Sequence, residues 1–521
     1  MNQVKSIGDG FYGDTVHPFR SLESRRFENM PEWNNWLVPK LGHEETEALF
    51  LCLRELRIIK CPKLINLPDE LPSLVTIHVK ECQELEMSIP RLPLLTQLVV
   101  AGSLESWDGD APSLTRLYIW EISRLSCLWE RLAQPLMVLE DLGIHECDEL
   151  ACLRKPGFGL ENLGGLRRLW INGCDGVVSL EEQGLPCNLQ YLEVNGCFNL
   201  EKLPNALHAL TSLTDLVIWN CPKIVSFLET SLLPMLTRLS MKICEGLELP
   251  DGMMINRCAI EYLEIKDCPS LISFPEGELP ATLKKLIIEV CEKLESLPEG
   301  IDSSNTCRLE LLYVWGCPSL KSIPRGYFPS TLEILDIWDC QQLESIPGNM
   351  LQNLMFLQLL NLCNCPYVVS SPEAFLKPNL KALSITDCEN MRWPLSGWSL
   401  HTLTSLGELC IQGPFPDMLS FSGSQLLLPI SLTTLRLGNL RNLKSIASMD
   451  LQSLISLKTL ELYNCPELRS FVPKEGLLPT LARLVIWECP ILKKRCLKDK
   501  GKDWPKIAHI PYVEIDDIVQ Q

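Results

Sequence analysis

Cysteine is the residue of this sequence whose number and spacing could do chemistry, because thiolates bind metals and react with oxidants. The chain has 521 residues and 24 cysteines. No two cysteines are separated by two residues, so the sequence offers no zinc ribbon and no thioredoxin-like motif. The closest pair, Cys363 and Cys365, has no further ligand at metal-binding spacing. The sequence therefore predicts no metal site.

Other catalytic residue patterns are missing as well. The sequence contains no G-x-S-x-G elbow, no H-E-x-x-H pair and no G-x-x-x-x-G-K-[ST] phosphate loop. The seven histidines are scattered. We expect His78 within a strand and His145 just after one, each as an isolated surface residue. The sequence predicts no catalytic residue and no enzyme.

The cysteines belong to a repeated phrase, L-x-x-L-x-I-x-x-C-x-x-L-x-x-L, which recurs about every 24 residues. Nineteen copies can be aligned, and a degenerate earlier copy starts at Leu22. The nineteen begin at Leu53, Leu74, Leu95, Leu114, Leu139, Leu166, Leu189, Leu213, Leu236, Ile260, Leu283, Leu309, Leu332, Leu357, Leu380, Leu406, Leu432, Leu457 and Leu481. Fifteen cysteines share the one Cys position: 61, 82, 147, 174, 197, 221, 244, 268, 291, 317, 340, 365, 388, 465 and 489.

Each copy predicts one short strand, because L-x-I alternates with the two-residue period of a β-strand. Such strands are too short to be stable alone, but stacked in parallel they join their Leu and Ile side chains into one core. A buried thiol fits the turn after the strand. The fold class is therefore α/β, a leucine-rich-repeat solenoid or horseshoe. We expect a parallel β-sheet on the concave face and irregular or 3-10 segments on the convex face.

The domain boundaries follow from the repeats. We expect an N-terminal flank with one degenerate repeat at 1–52, about nineteen repeats at 53–495, and a C-terminal cap and tail at 496–521. Residues 490–507 carry seven lysines and arginines against two aspartates. A solvated cap over the core and a basic dock for an acidic partner both remain open for this stretch.

Two flanking segments carry distinctive phrases: the C-terminal segment Gly501–Pro511 reads GKDWPKIAHIP, and the N-terminal segment contains IGDGFYG and, at 27–33, FENMPEW. These segments resemble plant disease-resistance proteins of the coiled-coil nucleotide-binding leucine-rich-repeat class. The Cys-Pro repeat phrase fits the same family. The resemblance covers essentially the whole chain and implies the leucine-rich-repeat region of an intracellular immune receptor.

That resemblance also implies partners and cofactors. The partner would be a pathogen effector or a host protein that effectors modify, and a nucleotide-binding domain could pack against the repeats in cis or in trans. ADP or ATP would bind only in that domain, whose phosphate loop this sequence lacks, so we expect no cofactor in this chain. The net charge of −18 argues against nucleic acid. The absence of a long apolar run and of a leader predicts a cytoplasmic chain without a membrane span, with nuclear entry possible.

Recognition should fall on the concave sheet, on the residues between and just after each Leu/Ile pair. One apolar and aromatic cluster comprises Leu311, Tyr313, Trp315, Ile334, Asp336, Trp338, Leu359 and Asn361, followed by Cys363. A second comprises Arg116, Tyr118, Trp120, Arg168 and Trp170, with Trp219 and Trp487 at the position of Trp120. Exposed aromatic residues are typical anchors of protein interfaces. Packing between neighbouring repeats is the other interpretation of each tryptophan.

Two further functional classes stay open from the sequence. One is an F-box type of substrate adaptor for ubiquitin ligation, which needs a helical box that residues 1–50 do not resemble. The other is a truncated, non-signalling fragment or decoy, which we expect to aggregate if one end of its core is uncovered.

Overall fold

The fold is taken from a computed structural model. It describes residues 3–12, 19, 21–37, 50–68, 71–85, 92–102, 111–122, 125–127, 136–155, 158–180, 184–203, 209–224, 235–247, 249, 259–275, 279–298, 301, 308–323, 328–344, 354–367, 377–389, 400–415, 418–421, 428–446, 448–473 and 476–520. The chain divides into two compact units. Unit 1 comprises Met1–Met253 with Arg257–Ile260, and unit 2 comprises Met254–Asn256 with Glu261–Gln521.

Unit 1 contains strands β1 to β14 and one short helix. In chain order they are β1 (Ser6–Ile7), α1 (Asp9–Tyr12), β2 (Ser24–Glu28), β3 (Asn35–Trp36), β4 (Glu55–Ile59), β5 (Thr76–Lys80), β6 (Gln97–Ala101), β7 (Arg116–Trp120), β8 (Asp141–His145), β9 (Arg154–Lys155), β10 (Phe158–Gly159), β11 (Arg168–Asn172), β12 (Tyr191–Asn195), β13 (Asp215–Trp219) and β14 (Arg238–Lys242). A 3-10 turn spans Leu160–Asn162.

Unit 2 continues with strands β15 to β28 and two helices. In chain order they are β15 (Tyr262–Lys266), β16 (Lys285–Glu289), β17 (Leu311–Trp315), β18 (Ile334–Trp338), β19 (Leu359–Cys363), β20 (Ala382–Thr386), β21 (Glu408–Gln412), β22 (Ser420–Phe421), β23 (Thr434–Gly438), β24 (Ser445–Ile446), α2 (Ser448–Ser453), β25 (Thr459–Tyr463), β26 (Arg483–Trp487), α3 (Pro490–Cys496), β27 (Tyr512–Ile515) and β28 (Ile518–Val519). The 3-10 turns are Leu400–Thr402 and Trp504–Lys506.

Each unit has one long parallel sheet with an unbroken register. In unit 1 the order is β2, β4 to β8 and β11 to β14. In unit 2 it is β15 to β21, β23, β25, β26 and β27, and β28 pairs antiparallel with β27. The leucine-rich-repeat solenoid with a parallel sheet and little helix is confirmed.

The repeats predicted from the sequence locate these strands accurately. Each of the nineteen repeats yields a five-residue strand that begins two residues after its first apolar residue, as β4 does after Leu53. The degenerate copy at Leu22 is followed in the same way by β2. The second and fourth residues of each strand enter the core, as Leu56 and Ile58 do at 0% exposure. The first, third and fifth residues lie on the opposite surface, which we call the sheet face.

The turn that ends each strand has a feature that the sequence analysis missed. The residue between the strand and the cysteine adopts a left-handed backbone conformation, for example Asn220 at φ 53° and Gly196 at φ 63°. Glycine, asparagine and aspartate tolerate this conformation best. Ile243 and Val290 adopt it at φ 53° and 52°. Because they are β-branched, these two turns are strained.

Different structures lie beside the first strand of the unit 1 sheet and beside β26, near the end of the unit 2 sheet. In unit 1, buried aromatic residues pack beside β2, with Trp33 at 0% and Phe50 at 1% exposure, and Trp36 Nε1 donates to the Tyr12 hydroxyl at 2.8 Å. In unit 2, part of the expected cap at 496–521 is a further sheet strand, β27, paired with β26. Basic residues of this stretch pair within the chain, Lys493 with Asp516 at 2.7 Å and Arg495 with Asp503 at 2.5 Å.

Candidate functional site: two aromatic clusters on the sheet face

Tryptophan occupies the last position of several strands and is exposed there. The exposed fractions are 37% for Trp120, 45% for Trp219, 39% for Trp338 and 40% for Trp487. Their matched exposure follows from their common strand position. These tryptophans therefore differ in the groups that surround each ring, not in their exposure.

The cluster in unit 1 is built around a buried carboxylate. Asp141 is the first residue of β8 and is 2% exposed. Arg168 on β11 donates to both of its oxygens, with Nε to Oδ1 and Nη2 to Oδ2 each at 2.6 Å. Arg116 on β7 approaches it from the other side, with Nε 3.8 Å from Oδ2. We call Arg116, Tyr118, Trp120, Asp141, Arg168 and Trp170 the arginine cluster.

The rings of the arginine cluster pack in a row across the strands. The Tyr118 and Trp170 ring centroids lie 6.1 Å apart, and those of Trp170 and Tyr191 lie 5.5 Å apart. Gly143 makes room for the first pair, because a Cβ there would lie 2.6 Å from Cδ1 of Tyr118. The Arg168 guanidinium also lies 5.8 Å from the Trp170 ring centroid. The sequence analysis predicted five residues of this cluster as one group. It did not identify Asp141 or the neighbouring Gly143.

Trp120 covers a histidine that the sequence analysis misplaced. His145 is the last residue of β8 and is 8% exposed, so the expectation of a surface histidine after the strand is wrong. The Trp120 and His145 rings stack at 3.8 Å between centroids with 14° between planes. Burial lowers the pKa of His145 to about 4, so the ring is neutral at physiological pH. At Trp120, packing between neighbouring repeats is therefore observed.

The cluster in unit 2 forms three rows across strands β17, β18 and β19. The register aligns Leu311, Ile334 and Leu359 in the first row, Tyr313, Asp336 and Asn361 in the second, and Trp315, Trp338 and Cys363 in the third. The predicted residues are therefore neighbours on one sheet face. We call these nine residues the aspartate cluster.

Asp336 lies at the centre of the aspartate cluster. Asn361 Nδ2 donates to its Oδ1 at 2.8 Å, and the Trp338 side chain also hydrogen-bonds the carboxyl group. Burial raises the pKa of Asp336, and the two hydrogen bonds oppose that shift without cancelling it. Asn361 itself is only 8% exposed, so it lies beneath the surface that its neighbours present.

The tryptophans of the third row are also held by polar groups. Trp315 Nε1 donates to Asp339 Oδ2 at 3.1 Å. Asn364 Nδ2 donates to the other oxygen of Asp339 at 2.6 Å. Asp339 and Asn364 are the left-handed residues that follow β18 and β19. This fixes the Trp315 ring, while part of its surface stays accessible.

A run of alternating charges near the end of unit 2 escaped the sequence analysis. Arg436 Nε lies 2.7 Å from Glu461 Oε2, and Arg483 lies 3.6 Å from Glu461 and 3.3 Å from Glu514. The side chains come from successive strands β23, β25, β26 and β27. Aligning the third and first strand positions of neighbouring repeats could have revealed this pattern. Each charged side chain in this run has an oppositely charged neighbour, so we interpret the run as part of the structure and not as a binding site.

The repeat cysteines are structural. All fifteen lie among the described residues, and each is buried and outside any disulfide bond. Their thiols donate to strand carbonyl groups, as Cys197 Sγ does to the Ile171 oxygen at 3.5 Å. Burial raises the pKa of Cys197 to about 11 and that of Cys221 to about 12, so neither carries a reactive thiolate at neutral pH. Within the described residues, His, Cys, Asp and Glu side chains do not gather into a group of three that could hold a metal ion.

Comparison with known proteins supports the sequence resemblance. A family profile described as plant disease resistance protein RPS2-like, leucine-rich repeats, matches residues 30–175. The chain is 29% identical over 204 residues to disease resistance RPP13-like protein 1 of Arabidopsis thaliana, a match that covers 37% of this chain and 18% of that protein. It is 26% identical over 179 residues to disease resistance protein RPP4 of the same plant, covering 32% of this chain and 15% of that protein.

The repeats are thus those of a leucine-rich-repeat solenoid, and their resemblance to the repeat region of plant disease-resistance proteins is confirmed. The matches span less than a fifth of the length of these relatives. Among solved structures, CroV588, described as a circular leucine-rich-repeat protein, is 16% identical with a TM-score of 0.48, covering 97% of this chain and 77% of that one. None of the helices in the described residues has the length and hydropathy that crossing a membrane requires.

Proposed function

We propose that this chain is the protein-recognition module of an intracellular plant immune receptor. Its partner is a pathogen effector or a host protein that effectors modify. The likeness to disease-resistance proteins supports this biological setting. The observation that carries the proposal is the aspartate cluster, where Trp338 is 39% exposed beside the partly exposed Tyr313 and Trp315. Such rings are the side chains that anchor protein interfaces.

Unit 2 supports partner contact better than unit 1. In the arginine cluster both arginines pair with the buried carboxylate, the Tyr118 and Trp170 rings pack together, and Trp120 covers His145. That cluster is satisfied without a partner. In the aspartate cluster a half-buried carboxylate lies between exposed rings with only neutral donors. The sequence also predicted contact by Arg116, Tyr118, Trp120, Arg168, Trp170 and Trp219, but our proposal places the partner on the aspartate cluster and these six residues outside the contact.

The setting in the cell is also part of the proposal. The buried cysteines form no disulfide and fit a reducing compartment, so we place the chain in the cytoplasm, from which it can enter the nucleus. In the related receptors a nucleotide-binding domain accompanies the repeats, and the sheet of this chain could serve such a domain in cis or in trans. The F-box alternative gains no support, since the helix found in the described part of residues 1–50 is the four-residue α1.

The test is partner capture by a variant that truncates both anchors. In the Trp315→Ala/Trp338→Ala chain, proteins retained from infected plant extract by the wild type should fall at least about thirtyfold, since an interface anchor contributes about 2 kcal/mol or more. The matched control is Trp219→Ala/Trp487→Ala, which removes two rings of similar exposure from the same strand position. Thermal transitions identify any folding loss.

Two outcomes contradict the proposal. One is retention of the same proteins by the Trp315→Ala/Trp338→Ala chain. The other is loss of capture by the control variant alone, which would move the contact site to Trp219 or Trp487.

A further inference from the structure

The aspartate cluster has the composition of a receptor for a positively charged side chain. Resting on the proposed function, we propose that Asp336, framed by Tyr313 and Trp338, binds a lysine side chain of the protein partner. The lysine ammonium would contact the carboxylate and lie against the aromatic rings. Three features of the cluster support this: Asp336 has no charge partner, aromatic rings lie next to it, and Asn361 holds a buried acceptor without a donor.

Asp336 lacks the cation that holds several other carboxylates of the sheet face. Asp141 is held by two arginines, and Glu461 likewise has two. Glu289 pairs with Lys266. Among the described residues, Asp336 forms no ion pair, and its hydrogen bonds come from Asn361 and Trp338, which are neutral. A half-buried carboxylate with neutral neighbours leaves its charge uncompensated, and a partner's cation supplies the compensation.

The rings stand where they can contact that cation. Tyr313 is the direct register partner of Asp336 on the adjacent strand β17, so the two backbones lie about 4.8 Å apart there. Trp338 lies two residues further along the same strand and on the same face, so its Cα atom is about 6.6 Å from that of Asp336. An ammonium bonded to the carboxylate would therefore have both aromatic side chains as neighbours, and aromatic rings attract cations at short range.

Asn361 contributes a second acceptor. It is 8% exposed, and its Oδ1 is buried without a hydrogen-bond donor among the described residues. A buried acceptor without a hydrogen bond destabilises the folded chain. A donor arriving at Asp336 from a partner is placed to relieve this, because Nδ2 of the same amide group already bonds the carboxylate.

The geometry favours lysine over arginine. An arginine binds a carboxylate best through two parallel hydrogen bonds, as Arg168 binds Asp141. At Asp336, Oδ1 already accepts from Asn361, so a two-pronged contact would have to share that oxygen with the amide group. An ammonium is a compact charge that needs only one free lone pair on the carboxylate and can use its other donors elsewhere.

Charge tethering at Cys363 tests this without the partner. Cys363 follows Trp338 in the third row and is partly exposed. Its thiolate attacks one sulfur of a symmetric disulfide, forms a mixed disulfide and releases the other half as a thiolate. The cationic probe is cystamine, and the neutral probe is bis(2-hydroxyethyl) disulfide. Burial and the nearby Asp339 and Asp387 raise the pKa of Cys363 to about 12, so the exchange must run to equilibrium.

We expect cystamine adducts at Cys363 to exceed neutral adducts by about fivefold or more, as counted by mass spectrometry of the peptide. In Asp336→Asn the ratio should fall markedly towards the ratio at the exposed Cys52, and Asp339 and Asp387 account for what remains. The matched control, Asp387→Asn, removes a nearby charge outside the cluster and should keep most of the preference. An equal ratio in wild type and Asp336→Asn, or loss of the preference in Asp387→Asn alone, overturns the lysine site.

The outcomes separate the two proposals. Loss of partner capture in Trp315→Ala/Trp338→Ala, together with no charge preference at Cys363, would leave the recognition function standing and remove the lysine site. A charge preference that depends on Asp336, together with unchanged partner capture, would show a cation site outside the partner interface and would overturn its assignment to partner binding.

Discussion

Replacing Asp141 and Asp336 separately by asparagine should have opposite effects on stability. Both are acidic residues on the sheet face, and asparagine keeps the shape of each while removing its charge. Asp141 is 2% exposed and is bonded by two arginines. Asp336 is half-buried and has only neutral donors. The first change removes an ion pair, and the second removes an uncompensated charge.

The loss at Asp141 can be sized from its contacts. Hydrogen bonds to charged groups contribute about 1.5–3 kcal/mol each, and Arg168 makes two at 2.6 Å. Asparagine retains one acceptor, so about one such bond is lost with the attraction to Arg116 at 3.8 Å. Both arginine side chains are about half exposed, at 54% and 51%, which places the loss near the low end. We expect about 2 kcal/mol.

The gain at Asp336 should be smaller, below about 1 kcal/mol, since the two neutral hydrogen bonds already offset part of the burial. Its pH dependence has a definite sign. Burial raises the folded-state pKa of Asp336 above the unfolded value. The free energy of unfolding is therefore larger at low pH, where Asp336 is protonated, and this contribution of Asp336 is lost as pH rises through its folded-state pKa. The advantage of Asp336→Asn should be present at neutral pH and vanish in acid.

Hydrogen exchange measured by mass spectrometry is the suitable assay, because a solenoid responds to a local change mainly in neighbouring repeats. In Asp141→Asn, exchange in β8 and β11 should become about thirtyfold faster, the factor that corresponds to 2 kcal/mol. In Asp336→Asn, exchange in β18 should be unchanged or slower. Faster exchange in β18 would refute the reasoning, because it would make Asp336 a structural acceptor rather than an unsatisfied charge.

Two further predictions concern the turns and the thiols. Gly413→Ala should destabilise its repeat by about 2–4 kcal/mol, read by exchange in β21, because Gly413 has φ 122° and a Cβ would lie 2.9 Å from the backbone of Asp387; the matched Gly316→Ala has 3.5 Å of room and should lose about 1 kcal/mol or less. Equal losses would contradict the close approach at Gly413. Titration with a thiol reagent should label the exposed Cys52 and Cys187 first and the fifteen repeat cysteines only on unfolding; rapid labelling of a repeat cysteine in the folded chain would contradict its burial.

The sequence predicted most of the fold because the signal is local and repeated. Each strand is specified by two apolar residues two positions apart, most often Leu and Ile, and nineteen copies place the same pattern in the same register. The burial of the cysteines followed from the same alignment. The left-handed residue before each cysteine was missed because that position holds glycine, asparagine, aspartate and several less suitable residues. No single residue type marks it.

The candidate sites were predicted less completely, since their contacts join residues about 25 positions apart. The rows of the aspartate cluster follow from the register and were anticipated. The burial of Asp141 and of His145 depends on which side chains neighbouring repeats place over them, namely Arg168 and Trp120. Neither residue is unusual in its own repeat. Reading across repeats at equal strand positions would have brought these neighbours together.

Hydroxyl-radical footprinting of the captured complex tests the central claim most directly. Trp338 and Trp120 occupy the same strand position and are 39% and 37% exposed, so in the free chain they should oxidise at similar rates. With the partner bound, we predict that oxidation of Trp338 falls several-fold while that of Trp120 is unchanged. Protection of Trp120 with Trp338 still fully reactive would contradict the assignment of partner recognition to the aspartate cluster.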